Sequence, residues 1–294
     1  MNPSGILLRF VALPIAVCAV AACLGWVVGR RSTRGRDAIL GVGVAAAFIA
    51  AMFALGLGPN FPLMPSEDGW LWIVWIAAAG AIVGVFETFV RAPSVVKTLV
   101  RVALAFGVVK LLFDPVMPYG FGSYYSDRFH IPIVAVALAT IGLWIVLADP
   151  GTRASRVSSV VPILVALPAT AGILVAYGHS FKLGMASGAL GIAVGATAVL
   201  SWPRKTSSLL PAAMAAVIAP VFVGILASAY LYLNYGETIA IPFTVALLLF
   251  ASAACSVARS WKIALILAVL FAGGAAVVAA VNDAKNGPST YDWI

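Results

Sequence analysis

Charged residues inside long apolar stretches are the groups best placed to do chemistry in this sequence. Lys110 and Asp114 lie four residues apart in one such stretch, a spacing that brings two side chains together on a helix. Ionisable groups inside a membrane-spanning helix are costly, so they mark candidate substrate or ion sites. The sequence predicts that this pair lies on a substrate or ion path, with a self-neutralised structural pair as the alternative.

A second acidic residue, Glu87, lies four residues before Arg91 at the end of another apolar stretch. The same spacing predicts an ion pair between Glu87 and Arg91. Its closeness to the lipid headgroups favours a structural role for the pair. We keep Glu87 as a candidate for an inner gate on the same path.

Four further residues form a candidate group on the predicted outer face: His130, His179, Asp127 and Glu237. Neutral imidazole transfers protons and binds metals near pH 7, and two histidines with a carboxylate could hold a divalent ion. However, no local His-x-x-x-His spacing supports a metal site. We therefore predict no metal and no cofactor, and keep the four residues as outer-face candidates.

Sequence motifs for known catalytic machinery are absent. The chain has no H-E-x-x-H, G-x-S-x-G, phosphate-binding loop or C-x-x-C motif, so no catalytic residue is assigned. The three cysteines, Cys18, Cys23 and Cys255, all lie in apolar runs. That placement predicts that they pack as small core residues.

The composition indicates an all-α polytopic integral membrane protein. Of 294 residues, 63% are apolar and 10% are charged, whereas soluble domains average about 45–50% and about 25%. The net charge of +8 comes from short clusters between the apolar stretches. Because no basic domain exists to follow a phosphate backbone, we exclude nucleic acid as a partner.

Ten apolar stretches of about 20 residues are each long enough to span a bilayer. They form one predicted transmembrane domain over residues 1–281, followed by a polar tail at 282–294. No room remains for a soluble domain. The predicted spans are about 5–29, 38–58, 70–90, 97–116, 130–147, 157–177, 181–201, 209–233, 239–257 and 263–281.

Alternate connectors hold most of the 18 Lys and Arg residues. The positive-inside rule makes that side cytoplasmic, so both termini are predicted outside a cell membrane, most simply a bacterial inner membrane. All eight tyrosines map to the opposite, outer face. The segment Val20-Ala21-Ala22-Cys23 has the pattern of a lipoprotein cleavage site, but cleavage there would leave the next four arginines outside. An uncleaved first span is therefore favoured.

Glycines at helical spacing predict close helix packing. In the seventh span, Gly184, Gly188, Gly191 and Gly195 form one stripe, and Gly80 and Gly84 repeat the spacing in the third. Packing within one subunit is the main interpretation, with a dimer contact or a substrate path as alternatives. Five spans per half would also allow a five-plus-five inverted repeat.

These features favour a small-solute or ion-coupled transporter. Two alternatives remain open: a non-catalytic membrane subunit that docks a partner through its outer aromatic loops, and a membrane enzyme that acts on a lipid-linked substrate at the outer leaflet. The expected partners are the lipid bilayer, a small solute or ion, and a membrane or extracytoplasmic protein.

Overall fold

The structure, a computed structural model, describes residues 3–56, 69–114, 130–148, 181–201 and 211–232, with scattered residues at 164–168 and 262–281. Within these parts every regular element is a helix, which confirms the all-α prediction. A 3-10 turn, Gly69–Trp72, precedes the third helix. The α-helices are α1 (Pro3–Gly29), α2 (Thr33–Ala54), α3 (Ile73–Phe89), α4 (Ser94–Phe113), α5 (His130–Ala148), α6 (Phe181–Ser201) and α7 (Ala212–Tyr232).

Four of these helices are long and apolar enough to cross a membrane. The qualifying segments are Val11–Gly29, Thr33–Ala54, Lys182–Leu200 and Ala212–Ala229. Helices α3 and α5 contribute shorter apolar segments, Ile73–Phe89 and Ile133–Ala148. These segments fit the prediction of an integral membrane protein.

Helix boundaries agree closely with the predicted spans at α1, α5 and α6. The largest differences are in α2, which covers Thr33–Ala54 rather than 38–58, and in α4, which covers Ser94–Phe113 rather than 97–116. Helices α3 and α7 each begin three residues later than predicted. Helix α4 ends before Pro115, which has no amide hydrogen to continue the backbone ladder. The spans predicted at 157–177, 239–257 and 263–281 and the tail at 282–294 lie wholly or mostly outside the described residues.

The early start of α2 follows from its N-cap. The Oγ atom of Ser32 accepts a hydrogen bond from the backbone N–H of Gly35 at 3.1 Å, and Ser32 itself has extended backbone angles. A serine in this position satisfies one of the amide groups that a helix start leaves without a partner. Arginines can therefore occupy the first turn of α2 instead of preceding it.

We expect Ser32→Ala to lower the free energy of unfolding by about 1 kcal/mol, because the cap hydrogen bond is lost. Thermal unfolding of the detergent-solubilised protein measures the effect. Thr33→Ala, at the exposed next residue, is the matched control and should leave the melting temperature nearly unchanged. Equal melting temperatures for both variants would show that the cap does not stabilise this turn.

Helix α7 lies at the centre of the described bundle. It contacts α2, α3, α4, α5 and α6, and 94% of its Ala212–Ala229 segment is buried. A helix that is apolar on all sides is expected in such a position. Its many alanines, such as Ala213 and Ala216, leave room for close neighbours.

Glycines of α2 and α3 let these helices approach the backbone of α7. A Cβ atom added at Gly80 would lie 2.5 Å from the carbonyl oxygen of Ala216, and one at Gly84 would lie 2.8 Å from the Cα of Ala213. Gly41 of α2 approaches Ala213 equally closely. The prediction that Gly80 and Gly84 pack against another helix of the same chain is confirmed.

Proline 220 adds a local irregularity to the same contact. Pro220 lies inside α7 and has no amide hydrogen, so it cannot donate to the carbonyl of Ala216, four residues earlier. This is the carbonyl that faces Gly80. The contact between α3 and α7 therefore lies where the backbone ladder of α7 lacks one hydrogen bond.

Candidate functional site

An ion pair between α3 and α4 is the most developed polar feature among the described residues. The Nε atom of Arg101 donates to Oε1 of Glu87 at 2.7 Å, and Nη2 of Arg101 donates to Oε2 at 3.0 Å. Two parallel charge-assisted hydrogen bonds of this kind are stronger and more directional than a single contact. The guanidinium and carboxylate groups therefore hold one defined geometry.

This pair is shielded from the surroundings. The side chain of Glu87 is 2% exposed and that of Arg101 is 16% exposed. Charged side chains are almost never this buried unless they are paired, because each ion loses several kcal/mol of hydration. Each of the two charges therefore depends on the other.

The predicted partner of Glu87 was wrong. Helix α3 ends at Phe89, and Val90 has an extended backbone with φ −84° and ψ 120°. Arg91 therefore lies beyond the helix, where the four-residue spacing no longer places it beside Glu87. Pro93 was the sequence signal for this break, since a residue before proline avoids helical angles.

Arg101 reaches Glu87 because of its position on the following helix. Side chains on an α-helix lean towards its N-terminus, and the N-terminus of α4 adjoins the short connector from α3. The long side chain of Arg101 therefore points back towards the end of α3. Glu87 and Arg101 are 14 residues apart and lie on different helices. The four-residue spacing within one helix therefore could not predict their pairing.

Trp144 of α5 completes the group. The Cζ atom of Arg101 lies 5.5 Å from the centroid of the Trp144 ring, within the range of a cation–π contact. Trp144 is fully buried, and its Nε1 atom has no hydrogen-bond acceptor among the described residues. We call Glu87, Arg101 and Trp144 the charged cluster; it joins α3, α4 and α5.

Chemically, the charged cluster offers one carboxylate and two kinds of donor. The carboxylate of Glu87 accepts from Nε and Nη2 of Arg101, and the Trp144 ring that faces the guanidinium carries an N–H donor without an acceptor among the described residues. A buried polar atom without a partner is unusual and requires an explanation. A small anion that displaced the Glu87 carboxylate could accept hydrogen bonds from the Arg101 guanidinium.

Lys110 and Asp114 do approach each other, as predicted, but at the surface. Their Nζ and Oδ2 atoms lie 4.0 Å apart, and the side chains are 70% and 42% exposed. Asp114 caps the C-terminus of α4, with its backbone N–H donating to the carbonyl of Lys110. A pair this exposed contributes little to stability.

The two charged pairs of α4 face different directions. Arg101 and Lys110 are nine residues apart, which is two and a half turns of a helix with 3.6 residues per turn. Their side chains therefore leave α4 on opposite sides. The assignment of Lys110 and Asp114 to a path stays a prediction.

The outer-face candidates are described only in part. His130 is the first residue of α5, whereas His179, Asp127 and Glu237 lie outside the described residues. Within the described ranges, no three His, Cys, Asp or Glu residues are grouped so that they could hold a metal ion.

Cysteine 18 forms a buried polar link between α1 and α6. Its Sγ atom donates to the carbonyl of Ala193 at 3.4 Å and accepts from Oγ1 of Thr197 at 3.2 Å. The packing prediction is confirmed for Cys18. It was wrong for Cys23, which lies exposed on α1; Cys255 lies outside the described residues.

Comparisons with known proteins place no constraint on the activity. No family model, curated protein or solved structure matches the chain.

Proposed function

We propose that this protein is a multi-pass membrane transporter for a small solute, coupled to an ion. The observation that carries the proposal is the buried Glu87–Arg101 pair. Ionisable residues within the membrane region are functional candidates by default. A buried ion pair is also no better for stability than apolar side chains of similar volume, so stability alone gives little reason for its presence.

The charged cluster suggests how coupling would work. A cation bound by Glu87 would weaken its hold on Arg101. The guanidinium of Arg101 and the indole N–H of Trp144 would then bind a small anionic solute in place of the carboxylate. Release of the solute would return Arg101 to Glu87, so the two anions would occupy the same donors in turn.

The wider proposal retains the topology inferred from the sequence. We propose ten spans, organised as five plus five, with both termini outside a bacterial inner membrane and the charged cluster near the cytoplasmic face. Lys110 and Asp114 are then contacts near the opposite end of α4. Their exposure indicates a smaller contribution than that of the charged cluster. The docking-subunit and enzyme alternatives depend on outer loops and side chains that the structure does not describe.

The proposal predicts a ligand-dependent rise in melting temperature. Purified protein in detergent would be heated with a panel of small anions, namely carboxylates, phosphate, sulfate and amino acids, at pH 5 to 8. A ligand that binds only the folded protein at 100 times its Kd stabilises it by about 2.7 kcal/mol. We expect at least one anion of the panel to raise the melting temperature, because Arg101 and Trp144 supply its donors.

The control separates the charged cluster from surface charge. Lys110→Met combined with Asp114→Leu should keep the shift, whereas Arg101→Met combined with Glu87→Leu should lose it. Equal shifts in wild type and both variants would contradict a binding site at Arg101. If no anion of the panel changed the melting temperature, the proposed replacement of the Glu87 carboxylate by an anionic solute would be contradicted as well.

A further inference from the structure

An apolar groove runs along the surface of α1 and α2 and is closed on one side by the end of α3. Its volume is about 710 Å³. The side chains that line it are all hydrocarbon, and several are exposed within it, including Val20 at 60%, Leu24 at 53% and Val42 at 43%. Val85 and Phe89 of α3 form the remaining wall.

One end of the groove lies beside a cluster of arginines. Val28 and Gly35 line that end, and the short turn between them carries Arg30 and Arg31, with Arg34 directly before Gly35. All three arginines are exposed. Among the described residues, no carboxylate lies within ion-pair distance of any of the three, whereas Arg36 pairs with Asp37 at 3.2 Å.

The arginine turn has the character of a membrane interface. The Cζ atom of Arg30 lies 3.9 Å from the centroid of the Trp26 ring, and tryptophan is enriched at the level of the lipid headgroups. The N-terminus of α2 is at the same turn and adds a partial positive charge. Positive charge therefore collects at the end of an otherwise apolar groove.

The length of the groove favours a lipid chain over a helix of another protein. Its lining on α1 extends from Ala16 to Val28, or about 18 Å at a rise of about 1.5 Å per residue. One leaflet occupies half of a hydrocarbon core of about 30 Å. The groove is therefore about as long as a single leaflet is deep. A docked transmembrane helix would cross both leaflets and would need a longer groove.

We propose that this surface binds an anionic phospholipid. The headgroup phosphate contacts Arg30, Arg31 and Arg34, and an acyl chain occupies the groove between α1 and α2. Basic pockets between membrane helices select anionic headgroups in this way. The site is separate from the charged cluster and does not depend on the transport proposal.

Native mass spectrometry of the delipidated, detergent-solubilised protein tests the proposal. The probes are phosphatidylglycerol and phosphatidylcholine with identical acyl chains. We expect phosphatidylglycerol to bind at least tenfold more tightly than phosphatidylcholine.

Arg31→Gln combined with Arg34→Gln should weaken phosphatidylglycerol binding by about fivefold per arginine, or roughly 30-fold for the pair. Lys97→Gln combined with Lys182→Gln removes two basic residues on helices, α4 and α6, that do not line the groove, and should change binding less than twofold.

A second variant tests the groove and leaves the arginines intact. Val42→Trp places a large side chain in the groove at an exposed position, so folding should be preserved, as an unchanged melting temperature would verify. We expect this variant to weaken phosphatidylglycerol binding about tenfold. Equal binding of the two lipids, or full phosphatidylglycerol binding by Val42→Trp, would overturn the proposal. The latter result would show adsorption of a phosphate group to the arginines alone.

Discussion

Arg101→Met should lower the free energy of unfolding by about 3–5 kcal/mol, the cost of leaving one charge of a buried pair without its partner. The side chain of Glu87 is 2% exposed and receives both hydrogen bonds of the guanidinium. The measurement is a denaturation curve in detergent micelles, followed by the fluorescence of the tryptophans.

The matching double variant distinguishes a lost partner from lost packing. Glu87→Leu combined with Arg101→Met removes both charges and keeps most of the side-chain volume. Its stability should return to within about 1 kcal/mol of wild type, or exceed it, since apolar replacements of buried pairs are often neutral or stabilising. Lys110→Met combined with Asp114→Leu is the surface control and should change stability by under about 1 kcal/mol. If the double variant lost as much stability as the sum of the losses of Arg101→Met and Glu87→Leu measured singly, the pairing would be contradicted.

Gly80→Val combined with Gly84→Val should lower the free energy of unfolding by about 2–6 kcal/mol, at about 1–3 kcal/mol for each overpacked site. The added Cβ atoms would meet the carbonyl oxygen of Ala216 at 2.5 Å and the Cα of Ala213 at 2.8 Å. These are backbone atoms of the central helix, which cannot swing aside as a side chain could. The same denaturation assay measures the effect.

Gly107 provides the matched control for this packing prediction. It lies in the middle of α4, and an added Cβ would meet no atom within 4 Å. Gly107→Val should therefore leave stability within about 0.5 kcal/mol of wild type, as expected for substitutions that touch no packed neighbour. Similar losses for Gly107→Val and the double variant would contradict the assignment of the loss to contact with α7.

Much of the fold follows from sequence patterns with a direct physical basis. Hydropathy located the helices, because a run of apolar side chains is needed wherever backbone is buried in lipid. The spacing of Gly80 and Gly84 identified a packing face. It did not identify Ala213 and Ala216 of α7 as the partners, since any small-residue face could have met the glycines. The close approach of Gly41 to Ala213 was missed for the same reason.

The candidate site was less accessible to sequence reasoning. Glu87 was found because a carboxylate in an apolar stretch is unusual, but its pairing with Arg101 depends on where α3 ends and α4 begins. Pro93 is the sequence feature that marks this boundary. Trp144 had no distinguishing sequence feature, since its part in the charged cluster arises only from the packing of α5 against α4.

Solute flux into proteoliposomes tests the central claim most directly. Vesicles containing wild type or the Glu87→Leu, Arg101→Met double variant would be loaded with the anion that stabilises the wild-type protein. Counterflow of the labelled anion would then be measured. We predict flux through wild type and none above protein-free vesicles through the variant, although the variant is as stable as wild type. Equal flux through both proteins would contradict the assignment of the Glu87–Arg101 pair to transport.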